Sequence, residues 1–333
     1  SARFTVRRKT EIGTKGGIWI EGTCPDYLIE HNKITNQTNP WNANDGGINI
    51  SPTVAGVANG IIRYNVIDDC ENGIQLNSSI ADNAEAYYNV VKNTKAGSAQ
   101  GDIWLYRCDN VKVYQHTLVN GGGDGIKFSA SAPDVADNCS IKNNIIYNPT
   151  GYCLNVSDYT ASHGAGNIID YNCYWKDGAD PDMWKWGLTV YKRSEFAAYK
   201  AASGQDAHSI VADPLFVSAT NFYLQPTSPC RNVGAVIAGI EQKILGSGPD
   251  IGRYPYEAQS VRDGLMVRMS VYDPYLRYKR DLLGNNLTLQ GVVWALHTEG
   301  SARISLPYPT HTATLEAGDV VVLWIDDCYP WPG

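Results

Sequence analysis

The chain has 333 residues, 43% hydrophobic and 18% charged, the balance of a folded globular protein and not of a disordered one. Its net charge of −7 comes without any basic run, which argues against nucleic acid as the main partner. No stretch approaches the roughly 20 apolar residues that a membrane helix needs, so no membrane span is expected.

Ser1-Ala2-Arg3 leads almost at once into the first repeat without a signal peptide, which fits removal of a leader or an upstream domain. From there one short pattern, small residue–apolar–x–apolar, recurs six times. It reads Gly17-Ile18-Trp19-Ile20, Gly47-Ile48-Asn49-Ile50, Gly73-Ile74-Gln75-Leu76, Asp102-Ile103-Trp104-Leu105, Gly125-Ile126-Lys127-Phe128 and Gly151-Tyr152-Cys153-Leu154. A second pattern, apolar–polar–x–Asn–x–apolar, lies between: Ile29 to Ile34, Ile62 to Ile67, Ala86 to Val91, Val113 to Leu118, Ile141 to Ile146 and Ile169 to Tyr174. Both alternate with period two, the mark of a strand with one buried face.

A repeat this short cannot bury its apolar face alone, so the coils must stack, with a rise of about 4.8 Å set by strand pairing. The expected fold is therefore all-β: a right-handed parallel β-helix solenoid, its hand taken from the preference of parallel crossovers. Stacking places Asn32, Asn65, Asn89, Asn144 and Asn172 above one another, where an amide at a tight bend bonds its counterpart on the next coil. His116 interrupts that ladder. The row is structural whether it bonds in this way or only supplies turn residues. His31, His116 and His163 are equally readable as ladder or loop residues and as ligands.

Beyond Tyr174 the composition shifts. Trp175, Trp184 and Trp186 surround a Lys/Asp-rich loop, and residues 194–202 predict a short helix with Ser194 as N-cap and Gly204 past its end. The run Gly204 to Phe216, with Tyr223-Leu224-Gln225-Pro226-Thr227-Ser228-Pro229 and Asp250-Ile251-Gly252-Arg253-Tyr254, resembles the closing segment of bacterial right-handed parallel β-helix proteins of the pectate-lyase-like superfamily. The resemblance spans roughly 15–256. It implies the architecture, and an activity among glycoside hydrolases, polysaccharide lyases or proteins of no known activity. Asp206, His208 and Asp213 fall in that terminal segment and are taken as structural.

The expected domains are 1–256, the β-helix with its cap, and 257–333, a small β-sandwich-like domain for packing, oligomerisation or sugar binding. Its exposed aromatics (Tyr272, Tyr275, Tyr278, Trp331) suit all three, so a homo-oligomer stays open. The eight cysteines (24, 70, 108, 139, 153, 173, 230, 328) show no CxxC pair and no metal spacing, and read as buried thiols in preference to a disulfide framework.

Counting the small residue of the first pattern as zero, +1 and +3 point inward, so 0 and +2 are expected to point out. Trp19, Asn49, Gln75, Trp104 and Lys127 then form an outer column. Indole plates among amides and an amine suit a polysaccharide or oligosaccharide, whose C–H faces stack and whose hydroxyls need planar donors and acceptors. Asp45 and Glu71 both sit at −2, one coil apart, and Asp102 takes the zero position on the next coil, with Asp124 beyond.

Adjacent coils would put Asp45 and Glu71 about 5 Å apart, the spacing of a retaining glycosidase; Asp45 and Asp102 would be about 9–10 Å apart, near the inverting range. The expected roles are acid/base for Glu71 and nucleophile or base for Asp45, in a secreted or virion-borne glycoside hydrolase. Resemblance to β-helical glycosidases such as the β-xylosidases supports that class. Alternatively the acidic cluster holds Ca²⁺, as in the polysaccharide lyases of this fold, with Lys127 or, less well placed, Arg107 as base. A third expectation is a glycan-binding adhesin or tail-spike component without catalysis.

Overall fold

The computed structural model describes residues 4–7, 10–12, 17–20, 26–36, 46–50, 59–77, 81–95, 101–129, 136–157, 166–244 and 246–256, with backbone alone at 4, 10–12, 266–272, 278–284 and 320–326. The chain divides into two compact units, Ser1–Tyr256 and Glu257–Gly333.

In the first unit the alternating segments pair only with their counterparts one coil away. Sheet I runs Ile18–Ile20, Ile48–Ile50, Ile74–Asn77, Ile103–Tyr106, Ile126–Ser129, Leu154–Val156 and Asp182–Trp186, all parallel, and Thr189–Lys192 closes it antiparallel. Sheet II stacks seven strands from Phe4–Arg7 to Ile168–Asp170. Sheet III stacks eight, from Thr10–Ile12 through Cys173–Trp175 to Ile210–Val211. The chain visits I, II and III in turn, so residues some 23 to 33 apart in sequence become vertical neighbours, as Ile29 pairs with Ile62, Ile62 with Ala86 and Ile103 with Ile126.

The interior is made of the columns that the alternation marks. Ile48, Ile74, Ile103 and Ile126 from sheet I face Ile29, Ile62, Val113 and Ile141 from sheet II and Ile34, Ile67, Val91 and Leu118 from sheet III, none more than 1% exposed. Each such side chain contributes about 1.5–3 kcal/mol by leaving water, and only stacking brings that burial about.

Sheets II and III meet at a two-residue corner. Its first residue is left-handed at each described corner: His31, Tyr64, Tyr88, Gln115, Asn143 and Tyr171, with φ between 55° and 59°. The second is the ladder residue. Asn32 Nδ2 donates to Asn65 Oδ1 at 2.9 Å, Asn65 Nδ2 to Asn89 Oδ1 at 2.9 Å, and Asn144 Nδ2 to Asn172 Oδ1 at 3.0 Å. His116 carries the ladder through the gap: its Nδ1 accepts the Asn89 backbone N–H at 3.1 Å, and its own N–H goes to Asn144 Oδ1 at 2.9 Å. The left-handed residues stack outside, with Tyr64 and Tyr88 parallel within 3° at 5.5 Å.

Three expectations are corrected. The sixth first-strand repeat is out by two: Leu154 pairs with Ile126, so Cys153 and not Gly151 takes the zero position. A shift of two preserves the alternation, which is why the pattern alone could not detect it. The Lys/Asp-rich loop is there at 176–181, between Trp175 and Trp184, but the tryptophans after it belong to a strand that was not expected: Asp182–Trp186 is a seventh strand of sheet I, with Trp184 opposite Leu154 and wholly buried. Position zero faces the core: a Cβ on Gly47 would meet Ile67 Cγ2 at 2.5 Å, and one on Gly73 would meet Val91 Cγ1 at 2.6 Å.

The far end is closed by helix Phe196–Ser203, entered through a 3-10 turn at Arg193–Glu195. Gly204 ends it in the left-handed conformation, its N–H on the Lys200 carbonyl at 2.9 Å. Ser194 is not the cap; it bonds Asp180 through its N–H and its hydroxyl. Asp206 accepts from Tyr174, Tyr199 and Ser209 at 3.0, 2.7 and 2.5 Å, tying helix, strand and terminal segment. His208 pairs with Asp170 at 2.7 Å, and Asp213 caps the Leu215 N–H at 2.9 Å. The segment that follows covers the outer face of sheet III, laying Phe216, Phe222 and Tyr254 on Val66, Val90, Val119 and Tyr147. Cys70, Cys108, Cys139, Cys153, Cys173 and Cys230 are buried free thiols; Cys24 and Cys328 lie outside the described residues.

Among the described residues the second unit contains three antiparallel strands, with Met266–Tyr272 between Tyr278–Gly284 and Val320–Asp326. Tyr275 and Trp331 fall outside the described residues.

Candidate functional site: the outer face of sheet I

With alternate residues of sheet I committed to the core, the +2 residues have only the outside to face. Register is unbroken along the sheet: Trp19 pairs with Asn49, Asn49 with Gln75, Gln75 with Trp104, Trp104 with Lys127, Lys127 with Asn155 and Asn155 with Lys185. The five expected members of the column are therefore true vertical neighbours. Asn155 and Lys185 extend it, and sequence reasoning missed them because the sixth repeat was placed two residues early.

The column is not evenly wet. Trp19 is 49% exposed, a costly state for an indole, while Asn49 and Gln75 are only 6% and 1% exposed. Gln75 keeps both amide atoms buried without a hydrogen-bond partner among the described residues. Such an amide costs free energy unless another group engages it. Trp104 and Lys127 are half-exposed. Beside them run Asn77, Tyr106 and Ser129, paired across the same coils. Trp104 stacks on Tyr106 with ring centres 5.0 Å apart, and its Nε1 donates to Ser129 Oγ at 3.0 Å.

The carboxylates separate. Glu71 is half-exposed at the corner between sheets III and I, and no hydrogen bond or ion pair holds its carboxylate among the described residues. Asp45 lies outside the described residues. Asp102, at position zero, turns into the molecule instead of outward and is 1% exposed. Its Oδ1 accepts the Thr94 hydroxyl at 2.8 Å, the Thr94 oxygen in turn takes the Gly122 N–H at 2.9 Å, and its Oδ2 is buried without a partner. A side chain on Gly121 would collide with it. Burial pushes the Asp102 carboxyl well above the carboxylate range, and the nearby charge of Asp124 adds to the rise. Asp124 is itself engaged, by the Tyr152 N–H at 2.8 Å and Asn155 Nδ2 at 2.7 Å. Nothing in the alternation could reveal Asp102's direction, since the parity of side chains breaks at the turn before the strand.

Among the described residues, no group of three or more His, Cys, Asp or Glu is arranged to hold a metal ion, and no helix is long and apolar enough to cross a membrane. The chain resembles known proteins in two comparisons. Residues 13–172 match the family model described as right-handed beta helix region. Over 221 residues the chain is 32% identical to the uncharacterized protein YwoF of Bacillus subtilis (strain 168), covering 66% of this chain and 41% of that protein. No solved structure matches. Parallel stacking and this family match agree on the fold: the first unit is a right-handed parallel β-helix solenoid.

Proposed function

We propose that the protein binds a polysaccharide or oligosaccharide along the outer face of sheet I and cleaves it by glycoside hydrolysis, outside the cell or on a virion. The observation that carries this reading is the in-register outer column Trp19–Asn49–Gln75–Trp104–Lys127, in which Trp19 is exposed, Trp104 is half-exposed and the buried Gln75 amide has no hydrogen-bond partner among the described residues. Apolar plates alternating with hydrogen-bonding groups match a sugar chain, which presents C–H faces and hydroxyls by turns.

In the reaction Glu71 gives a proton to the departing glycosidic oxygen, and Asp45 attacks the anomeric carbon or activates the water that does. Water ends as hydroxyl on one product and hydrogen on the other. One coil of offset, about 5 Å, corresponds to the retaining route. Among the described residues no hydrogen bond or ion pair holds the Glu71 carboxylate, whereas Asp102 supports the corner from within.

Incubation with plant, algal and bacterial polysaccharides, followed by mass spectrometry, should show products heavier by one water per cut. Glu71→Gln and Asp45→Asn should each lower their release by at least about 100-fold while the melting temperature stays unchanged. Full activity in both variants overturns the assignment, and unsaturated products that absorb ultraviolet light would mean elimination. A second reading, binding without cleavage, is favoured by one observation: the inward turn of Asp102 removes a carboxylate from this face. It predicts retention of a glycan with no product at any pH.

A further inference from the structure

The outer face of sheet III carries Ile145 and Cys173 one coil apart, and the terminal segment packs Leu224, Cys230 and Ile251 against them. Cys173 and Cys230 are free thiols without exposure, and they hydrogen-bond to one another. The Cys173 Sγ also donates to the Ala212 carbonyl at 3.3 Å. Two cysteines 57 residues apart in the chain are thus in side-chain contact.

The other described cysteines sit differently. Cys70, Cys108, Cys139 and Cys153 belong to the packed interior of the solenoid. Cys70 donates to the Ile34 and Asp68 carbonyls, and Cys153 meets the Met183 sulfur. Cys108 and Cys139 touch, but they join neighbouring coils that strand pairing already holds together. Cys173 and Cys230 lie instead between two layers. From Pro214 to Tyr256 the only described strand-like pairings are the isolated bridges Phe216–Leu224 and Ile244–Pro249. Bonds from this cover to the solenoid include the Gly252 N–H on the Asn143 carbonyl and the Arg253 N–H on Thr117 Oγ1, each 2.9 Å. A layer held mainly by side-chain packing lifts at lower cost than a solenoid opens. While it is closed, the mutual hydrogen bond and burial hold the Cys173 thiol well above the usual range and keep it inert. Lifting the cover exposes both thiols at once.

We infer that Cys173 and Cys230 form a redox site, joined under oxidising conditions as a disulfide that staples the terminal segment onto sheet III. With a small disulfide such as oxidised glutathione as oxidant, one cysteine thiolate attacks a glutathione sulfur and displaces the other half as thiolate. The second cysteine thiolate attacks the protein sulfur of that mixed disulfide and displaces the remaining glutathione. Two electrons and two protons leave the protein in the two glutathione thiols. The bond closes a loop of about 57 residues and so restricts the lifted state.

The test refolds the full chain from urea in an oxidised/reduced glutathione couple, so that burial does not limit access, then alkylates the remaining thiols. Peptide mass spectrometry should find Cys173 linked to Cys230, lighter by two hydrogens and separated by dithiothreitol. Chymotryptic cleavage after Phe222 or Leu224, both buried under the closed cover, should be at least about tenfold slower in the oxidised chain than in the reduced one. Cys173→Ala and Cys230→Ala should each bring that ratio to one, even where the substitution loosens the cover, and Cys108→Ala should keep it. Both cysteines alkylated after the oxidising refold, either one linked to a different cysteine, or a link that leaves the cleavage rate unchanged overturns the inference.

Discussion

His116 is the residue at which the corner's chemistry changes, because an imidazole stands where the coils on either side place an amide. Burial lowers its pKa to about 3, and acceptance of the Asn89 N–H by Nδ1 holds the ring neutral with the proton on Nε2. The folded value lies below the unfolded one, near 6.5, so the contribution to stability is complete above pH 6.5. It is lost as the pH falls toward 3, with a slope approaching about 1.4 kcal/mol per pH unit. His116→Asn replaces the ring with the amide used elsewhere in the row and should remove that slope. Urea unfolding between pH 4.5 and 7.5 should show the variant gaining on the wild type as acid is added; a constant difference would contradict this role. Asp206 titrates in the opposite sense, its carboxyl raised to about 6 by burial, but it is present in both proteins and cancels in the comparison. The sequence marked His116 as the break in the ladder. That an imidazole nitrogen would take over the amide oxygen's place depended on ring orientation, which spacing does not contain.

At the scale of the element, the corner between sheets II and III is held by a hydrogen-bonded column and by backbone conformation together. Asn65 Oδ1 accepts from the Asn32 backbone and side chain, while its Nδ2 serves the Ile29 carbonyl and Asn89 Oδ1. Asn65→Ala strands these partners in a site with no exposure and should cost about 2–4 kcal/mol, measured by equilibrium denaturation. An effect below about 0.5 kcal/mol would mean that the column is incidental to stability. Much of this was legible. Alternation identified the inward residues, and the Asn spacing identified the corner. The left-handed conformation of the residue before each ladder residue was not legible at Tyr64, Tyr88, Gln115 and Tyr171, whose types rarely adopt it; only His31 and Asn143 are of types enriched there. The stacked tyrosines outside the corner, which follow from that conformation, escaped notice for the same reason. The cover over sheet III was equally hidden: its contacts join Phe222 to Val90 and Arg253 to Thr117, far apart along the chain and tied by no repeat.

For the whole molecule, a solenoid turns a one-dimensional repeat into flat faces, and the three sheets treat their outer faces differently. Sheet III is covered by the terminal segment. Sheet II carries charge pairs, among them Glu30 clamped between Arg7 and Arg63 and Lys112 with Glu85. Sheet I presents aromatic rings and amides, and that contrast singles it out as the face for a ligand. The column on it was predictable because strand periodicity fixes which residues point away from the core and stacking fixes their neighbours. The carboxylates were less so, because they belong to the turns, where each coil follows its own path and coil-to-coil equivalence no longer dictates direction. Affinity for a panel of polysaccharides, compared between the wild-type chain and Trp19→Ala/Trp104→Ala, addresses the binding face directly. Loss of two stacking plates should weaken retention of any bound glycan by at least about tenfold with the fold intact by circular dichroism; undiminished retention would show that the saccharide lies elsewhere.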